Sequence, residues 1–310
     1  MNQFVLSLDG RVAIITGAGG GLGRSHALSL AARGAKILVN DFGGAVDGSG
    51  ASASAAQRVV DEINDLGGVA APNHDSVASA EGGQAIVQAA LDAFGRVDVL
   101  INNAGILRDK AFHKMDATMI DAVIDVHLKG ALYVSQPVFA LMRAQGYGRI
   151  VNTSSASGLF GNFGQANYGA AKAGLLGLTR VLALEGAVHN VKVNAIAPIA
   201  STRMTEGILG ELSSEVSPGS VSPMVTYLAS EECAVSGNVY SVAGGRIARI
   251  FVAESNGVVL DTNTPESIRD HLALIDGPAV EQFLEPSSLD NETTIIAKAL
   301  ADGAADPRSN

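Results

Sequence analysis

A tyrosine, a lysine and a serine in the middle of the sequence have the side chains and the spacing for proton transfer. Lys172 follows Tyr168 by four residues, and Ser155 precedes it by thirteen. A helix that begins at Tyr168 places the lysine on the same face, one turn further on. A phenol titrates at about 10, and a nearby ammonium lowers that pKa by favouring the phenolate. These three side chains predict a phenol that exchanges a proton with the oxygen of a bound alcohol or carbonyl compound, which the serine holds in place. The alternative is an ordinary helix with a surface lysine and a half-buried tyrosine, which has the same spacing.

A glycine-rich turn near the start of the chain predicts a nucleotide site. Residues 11–16 are typical of a buried strand, a helix is expected from about Leu22 to Arg33, and residues 36–41 form a second strand. In such a βαβ unit the glycines let the backbone approach a pyrophosphate, and the helix amino terminus offers free N–H groups. A tight turn without a ligand is the alternative, which the flanking strand and helix disfavour. The residues expected at the pyrophosphate are Gly17, Gly21, Leu22 and Gly23.

An aspartate closes the second predicted strand and favours NAD as the coenzyme. Asp41 follows Gly17 by twenty-four residues, and a carboxylate there accepts hydrogen bonds from a ribose diol and repels a 2′-phosphate. No arginine or lysine lies within the glycine turn, although Arg24 follows it directly. An aspartate that only shapes a turn is the alternative. We therefore expect NAD rather than NADP.

The elements that position these residues alternate between strands and helices. Further strands are predicted at residues 69–74, 97–101, 149–153, 191–196 and 238–242, and helical patterns at 55–66, 80–94, 115–145, 168–184, 204–215 and 224–229. Pro137 is expected to interrupt the longest helix. The order predicts an α/β fold, a Rossmann-type doubly wound parallel sheet of about seven strands with helices on both faces.

Ligands bind at the carboxyl edge of such a sheet, where several small and polar residues follow the strands. Two of them are expected near an adenine, although a plain turn fits them equally well, and three follow the fourth strand. These residues are Asp75, Ser76, Asn103, Ala104 and Gly105.

The residues after the last of these strands predict a carboxyl-terminal extension. Residues 247–261 are typical of a hairpin with an Asn256-Gly257 turn. Thr264 and Pro265 predict the start of a helix that ends near Ile275, and a second helix is expected at 291–301. No linker divides two domains. We expect one domain at 1–246 and an extension at 247–310 that packs on it or on a partner subunit.

Composition and charge exclude several classes of partner. The chain has 310 residues and a formal net charge of −10, which argues against nucleic acid or an anionic membrane as the main partner. The single cysteine, Cys233, excludes an intrachain disulfide and fits a reducing compartment. No apolar run approaches the ~20 residues of a membrane span, and the first residues lack the pattern of a signal peptide. We expect a cytoplasmic protein without a metal site.

Taken together, the motifs resemble those of the short-chain dehydrogenase/reductase family over residues from about 8 to 246. The matching elements are TGAGGGLG at 16–23, Asp41, NNAG at 102–105, Ser155 and Tyr168-x-x-x-Lys172. Within the family, HDSV at 74–77, NNAGILRD at 102–109 and TSSASGLFGNFGQANY at 153–168 resemble one branch. That branch is the (3R)-hydroxyacyl-CoA dehydrogenases, which occur as a domain of peroxisomal multifunctional enzymes of type 2 and as free-standing bacterial proteins.

The resemblance implies a mechanism and a substrate. Ser155 holds the substrate hydroxyl, Tyr168 as phenolate takes its proton, and Lys172 stabilises the phenolate and binds the nicotinamide ribose of NAD. The implied reaction interconverts a 3-hydroxyacyl-CoA and a 3-ketoacyl-CoA in acyl-chain or steroid side-chain degradation. A steroid or other secondary-alcohol dehydrogenase, a 3-oxoacyl-acyl-carrier-protein reductase and a non-catalytic NAD-binding protein are the alternatives. Further coenzyme contacts are implied at Pro198, Ala200, Ser201 and Thr202.

Two positions depart from the wider family. Ile199 stands where the family usually has glycine, and His127 stands where its catalytic tetrad usually has asparagine. The hydroxyacyl-CoA branch that this sequence resembles also has histidine at the position of His127. An imidazole could hold a water relay to Lys172, and unlike an amide it can titrate near neutral pH. A histidine that only hydrogen-bonds backbone at a helix kink is the alternative, and we count His127 among the catalytic candidates.

A basic cluster favours a coenzyme A thioester as the substrate. Arg108, Lys110, His113 and Lys114 fall within seven residues beside the NNAG motif. Positive charge there would attract the phosphates of coenzyme A to an otherwise acidic protein. A solvated basic face is the alternative.

The predicted helix at 168–184 favours self-association. It is rich in alanine and glycine, so another helix can pack closely on it. The resembled family packs such helices across a two-fold axis. We therefore expect a homodimer or a homotetramer.

Overall fold

The computed structural model describes residues 6–50, 52–205, 210–251 and 264–276 and the single positions 260, 262, 293, 294 and 297. The strands are β1 (Val12–Thr16), β2 (Lys36–Asn40), β3 (Val69–Asn73), β4 (Val99–Asn102), β5 (Gly148–Thr153), β6 (Val191–Pro198), β7 (Val239–Ala243) and β8 (Arg246–Ile250). They form one eight-stranded sheet in the order β3-β2-β1-β4-β5-β6-β7-β8. All neighbours are parallel except β7 and β8. The predicted doubly wound parallel sheet is confirmed, with an antiparallel eighth strand at its edge.

Helices cover both faces of the sheet in the described part of the chain. They are α1 (Gly21–Ala31), α2 (Ser54–Asp65), α3 (Ala80–Phe94), α4 (Ala117–Ile124), α5 (Gly130–Gln145), α6 (Ala156–Phe160), α7 (Ala166–Gly186), α8 (Ser222–Ala229) and α9 (Pro265–Asp276). One apolar core lies under α1, α2 and α8, and a second lies under α3 and α5. Because both faces are covered, every residue of β1, β4 and β5 is buried. None of the described helices has the length and apolarity that a membrane crossing requires.

The strand order places a switch point between β1 and β4. The chain runs from β1 outward to β3 and then returns to the other side of β1, where Ile15 lies opposite Ile101. The carboxyl ends of β1, β4 and β5 therefore diverge around one crevice. Such a crevice is where ligands of doubly wound sheets bind.

The long helical pattern is interrupted at a different place from the one expected. Pro137 lies inside a continuous α5, so the prediction of a break there is wrong. The interruption is a π-helical turn, Asp125–Lys129, between α4 and α5. Pro137 has no N–H for the carbonyl oxygen of Tyr133, four residues earlier, and α3 packs closely there, since a Cβ added to Gly83 would lie 2.6 Å from that oxygen.

Two other expectations are corrected or fall outside the described residues. Residues 210–214 form a 3₁₀ turn rather than the predicted helix, of which 206–209 are not described. Part of the predicted 247–261 hairpin pairs back on β7 as β8, through a turn at Gly244 and Gly245. The Asn256-Gly257 turn and most of the 291–301 helix lie outside the described residues. The start of α9 is confirmed, because Thr264 Oγ1 accepts a hydrogen bond from Ser267 N at 3.2 Å.

Candidate active site

A cavity of about 440 Å³ opens at the carboxyl edge of the sheet and gathers the predicted site residues. Of these, one residue does not line it: Ser201 donates its N–H to Val216 O at 2.7 Å, and its hydroxyl lies 2.8 Å from Ser213 Oγ. The 210–216 segment, whose position no local pattern indicated, turns this serine away. The predicted residues that line the cavity are Gly17, Gly21, Leu22, Gly23, Asp41, Asp75, Ser76, Asn103, Ala104, Gly105, His127, Ser155, Tyr168, Lys172, Pro198, Ala200 and Thr202.

The glycine turn is held against the end of β4. Gly17 has φ +65, and a Cβ added to it would lie 2.7 Å from Ala104 Cα, so no other residue fits without a shift. Asn103 Nδ2 donates to the carbonyl oxygens of Thr16 and Gly17, both at 3.0 Å. The NNAG segment therefore supports the turn that shapes the cavity floor, in addition to lining the cavity.

Backbone N–H groups fix the carboxylate of Asp41 at one end of the cavity. Its Oδ2 accepts from Gly19 N at 2.7 Å, and its Oδ1 accepts from Gly43 N at 2.7 Å. The arginine that follows the glycine turn is engaged elsewhere, because Arg24 forms an ion pair with Glu62 and does not line the cavity. The arrangement presents a carboxylate where a ribose would lie.

The glycine-rich loop 42–50 reaches across the cavity to the segment after β4. Leu107 N donates to Val46 O at 2.9 Å, and Arg108 Nε donates to Asp47 O at 2.9 Å. A second guanidinium nitrogen of Arg108 donates to Thr118 O at 3.3 Å. Arg108 therefore anchors this loop rather than standing free, which sequence patterns could not indicate because Asp47 is sixty-one residues away.

Tyr168 and Ser155 meet on the opposite wall. Ser155 caps α6, where its Oγ accepts from Ser157 N at 3.2 Å, and it hydrogen-bonds the Tyr168 phenol. Burial raises the pKa of Tyr168 to about 12, and the hydrogen bond from Ser155 opposes this shift. The expectation that the phenol has a lowered pKa is therefore wrong, because desolvation outweighs the hydrogen bond from Ser155.

Lys172 lies behind the tyrosine in a buried position. Its side chain is 3% exposed, its Nζ donates to Thr153 O at 2.5 Å, and it lies 5.5 Å from the centre of the Tyr168 ring. Burial lowers the pKa of Lys172 to about 7. The predicted one-turn relationship to Tyr168 is observed on α7.

His127 occupies the π-helical turn and contacts the tyrosine edge-on. The two ring centres are 5.0 Å apart, and the Nε2 of His127 lies 3.0 Å from Ile106 N and 2.8 Å from Ile106 O. A Cβ added to Gly105 would lie 2.3 Å from the histidine Cε1, so the glycine makes room for the ring. Burial, and then the charge of Lys172, hold the pKa of His127 well below its ordinary value. The imidazole is neutral at pH 7, so the titration near neutrality that a histidine allows does not occur at this position.

Sequence reasoning missed one cation that lines the cavity. A guanidinium nitrogen of Arg203 lies 4.0 Å from the place of a Cβ on Gly20, and Arg203 has no hydrogen bond or ion pair with any described residue. The turn that carries it is fixed, since Thr202 N donates to Thr205 Oγ1 at 2.8 Å. The sequence contains one indirect sign of it: the glycine turn has no positive side chain of its own, so a cation that balances a bound phosphate must come from another segment.

Comparison with known proteins agrees with this geometry. A family model described as short chain dehydrogenase matches residues 11–211. A Mycobacterium tuberculosis protein named for the short-chain type of dehydrogenase/reductase is 52% identical over 84% of this chain and 91% of its own length. The crystal structure of a short chain dehydrogenase from Mycobacterium avium superposes with a TM-score of 0.76 at 44% identity, covering 86% of this chain and 95% of that one.

A longer relative bears on the branch. Peroxisomal multifunctional enzyme type 2 of Mus musculus is 47% identical over 86% of this chain, which spans 36% of that enzyme. The fold and the family model define an oxidoreductase, of a family that generally uses NAD or NADP. The chain belongs to the short-chain dehydrogenase/reductase family, and the predicted likeness to the dehydrogenase part of the type 2 enzymes is confirmed.

Proposed function

We propose that the protein is an NAD-dependent 3-hydroxyacyl-CoA dehydrogenase. The observation that carries the proposal is one cavity with the Ser155, Tyr168 and Lys172 group on one wall and the fixed carboxylate of Asp41 at the other end. Reaction and coenzyme selection are thereby assigned to opposite ends of the same crevice. Acyl-chain or steroid side-chain degradation is the setting in which such a reaction belongs.

The lining residues fit a nicotinamide dinucleotide. The glycine turn and the start of α1 offer free N–H groups for the pyrophosphate, and the guanidinium of Arg203, which pairs with none of the described residues, faces the same turn. Asp41 would accept the ribose hydroxyls and repel a 2′-phosphate, which supports NAD over NADP. When bound, the coenzyme supplies the acceptor for a hydride.

The protein's own groups handle the proton. Ser155 orients the substrate hydroxyl. The phenolate form of Tyr168, a minor form at neutral pH because burial raises the pKa of the phenol to about 12, takes the hydroxyl proton while the carbinol C–H bond breaks, its electron pair leaves with the hydride and the C=O bond forms. Lys172 stabilises this phenolate, and the edge-on ring of neutral His127 contacts the phenol, with 5.0 Å between the ring centres. In the reverse direction Tyr168 returns the proton to the alkoxide oxygen.

The choice of a coenzyme A thioester rests on the branch resemblance and on exposed positive charge. Because Arg108 anchors the 42–50 loop, the members of the basic cluster left for the phosphates of coenzyme A are Lys110, His113 and Lys114. All three are exposed and lie just outside the cavity lining. An acidic protein gains most from such local charge when its substrate is an anion.

The experiment compares matched thioesters by following the ultraviolet absorbance of NADH. Each 3-hydroxyacyl group is offered on coenzyme A and on N-acetylcysteamine, which lacks the phosphates. We expect a lower KM for the coenzyme A form, and Lys110→Glu with Lys114→Glu should raise that KM while sparing the short analogue. Lys36→Glu, at the opposite edge of the sheet, makes the control charge change. Turnover of simple alcohols with no preference for coenzyme A would contradict the proposal.

We also propose that the protein is a homodimer or homotetramer that associates through α7. Its carboxyl-terminal part carries Val181 and Leu184, 51% and 79% exposed, and Val188 follows at 87%. These positions share one face and would bury apolar surface against a second copy. A monomer in light scattering at micromolar concentration would contradict this.

A further inference from the structure

The residue before the active-site tyrosine is an asparagine whose side chain is fully engaged. Asn167 is 3% exposed and does not line the cavity. Its Nδ2 donates to Arg108 O at 3.1 Å and to Met119 O at 3.0 Å, and its Oδ1 accepts from Tyr168 N at 2.8 Å. An amide has two N–H donors and one carbonyl acceptor. All of them are used, and each partner is a backbone group.

The bond to Tyr168 N matters because of its place in α7. The first N–H groups of a helix have no partner within the helix, and α7 begins at Ala166 without a side-chain hydrogen bond from its N-cap residue, Gln165. Asn167 supplies the missing acceptor at the tyrosine itself. The backbone that carries the phenol is therefore fixed by a side chain from outside the cavity.

The two donated bonds tie this point to other parts of the site. Met119 belongs to α4, which leads directly into the π-helical turn of His127. Arg108 reaches with its guanidinium to the 42–50 loop and to Thr118 O. Asn167 thus connects the start of α7 to the element that positions the histidine and to the segment that anchors the loop over the cavity.

We propose that Asn167 is a positioning residue for the reaction, which holds the phenol of Tyr168 in register with Ser155 and His127. It touches neither substrate nor coenzyme and acts through the backbone of the tyrosine. The proposal rests on the proposed function in one respect, that Tyr168 transfers the proton. Small displacements of a reacting group cost a large part of a rate, about a hundredfold for 1 Å.

The amide is required for a reason that a substitution can test. In Asn167→Asp the side chain keeps its size, but a carboxylate would face the two carbonyl oxygens of Arg108 and Met119 without a donor. Asn167→Ala removes all three bonds and adds no charge. Asn162→Asp is the matched control: it makes the same change five residues earlier, where the Nδ2 of Asn162 bonds only Gln165 Oε1.

The measurements are kcat for alcohol oxidation, Kd for NADH by fluorescence, and the denaturant midpoint. We expect Asn167→Asp and Asn167→Ala to lower kcat by about a hundredfold, with Kd for NADH close to that of the unchanged protein and of Asn162→Asp. The denaturant midpoint should also fall, because buried backbone groups lose their partners, so the split between kcat and Kd is the decisive readout. The rise of kcat with pH should also move to higher pH, because the hydrogen bond from Ser155 that opposes the raised phenol pKa is weakened.

Several outcomes overturn the inference. A kcat within threefold of the unchanged protein in both variants would do so. Equal losses of kcat, NADH affinity and denaturant midpoint would assign Asn167 to the fold instead, as would failure of both variants to fold. An unchanged protein that oxidises no secondary alcohol refutes the proposed function, whereas active protein with equally active variants refutes only the role of Asn167.

Discussion

The two edges of the sheet treat their polar groups in opposite ways. At the amino edge, the fully buried carboxylate of Asp98 accepts from Arg11 at 3.3 Å, Arg96 at 2.6 Å and Val12 N at 3.0 Å. Arg149, 1% exposed, donates to the carbonyl oxygens of Ser230, Gly148 and Asn190 at 2.9, 2.8 and 2.9 Å. Apart from the hydroxyl of Tyr147, the buried groups of this cluster have partners.

The carboxyl edge leaves buried polar atoms without protein partners. In the described part of the chain these atoms include Asn102 Oδ1, His127 Nδ1 and Thr153 Oγ1. Lys172 is buried there without a carboxylate partner among the described residues, and its pKa is lowered. Paired charges at one edge stabilise the fold, whereas unpaired groups at the other cost stability and are available for chemistry.

The largest effect should come from removing the phenol hydroxyl at the carboxyl edge. Tyr168→Phe should lower kcat by at least about a hundredfold, since general acid–base groups contribute ~10²–10⁴-fold, and leave NADH binding nearly intact. Steady-state rates and fluorescence titration measure both, with Tyr133→Phe as the control. More than a tenth of the original kcat would remove Tyr168 from the proposed role.

At the amino edge a substitution that changes one functional group should lower stability and leave catalysis unaffected. Asp98→Asn keeps the shape of the side chain but breaks the ion pairs with Arg11 and Arg96. Breaking a buried pair is strongly destabilising, but both arginines are partly exposed and regain water, so we expect a loss of about 2 kcal/mol in the free energy of unfolding. Denaturant unfolding measures this, and kcat and Kd for NADH should stay unchanged. Asp92→Asn, at an exposed position, is the control. A lower kcat of Asp98→Asn without a loss of stability would contradict the assignment of the amino edge to stability alone.

The buried Lys172 at the carboxyl edge should make the free energy of unfolding depend on pH. The unfolded chain holds its proton up to an ordinary pKa of 10.5, but the folded protein releases it at about 7. Between these values the unfolded state binds more protons, so the unfolding free energy should rise with pH, by at most about 1.4 kcal/mol per unit. Lys172→Met should lose both activity and this slope between pH 7 and 10. The same slope in both proteins would assign it to another group.

The smallest expected effect concerns the coenzyme. The preference for NAD over NADP in kcat/KM should narrow by about tenfold in Asp41→Ala, the size of one charge-assisted hydrogen bond or a little less. Asp47→Ala removes a carboxylate from the same loop outside the cavity lining and serves as the control. Equal use of both coenzymes by the unchanged protein would contradict the role given to Asp41.

Most residues that line the cavity could be predicted from the sequence, because local patterns and the parallel sheet together determine where they lie. Gly17, Asp41 and Tyr168 each follow or open an element with a clear local pattern, and parallel strands bring their carboxyl ends to one edge. The roles of Arg108 and Arg203 were not predictable, because their neighbours, Asp47 and Gly20, are distant in the chain.

Burial explains the other differences. The pKa values of Tyr168 and His127 depend on which segments cover them, and periodicity gives no measure of desolvation. Pro137 was expected to break a helix that continues through it, packed closely on α3. Local propensity is a weak guide wherever tertiary contacts decide the energy.

The π-helical turn has a consequence for how this region can change in length. It holds Asp125–Lys129 between two α-helices, and because its hydrogen bonds join residues five apart, it contains one residue more than an α-helical turn. Deleting one residue there would therefore restore regular α-helix while α4 and α5 keep nearly the same relative orientation. His127 would still be displaced, because the turn that now places its ring against Ile106 and Tyr168 would no longer exist. Sequence alignments of this region should therefore score a gap at 125–129 as severely as a substitution of the histidine itself.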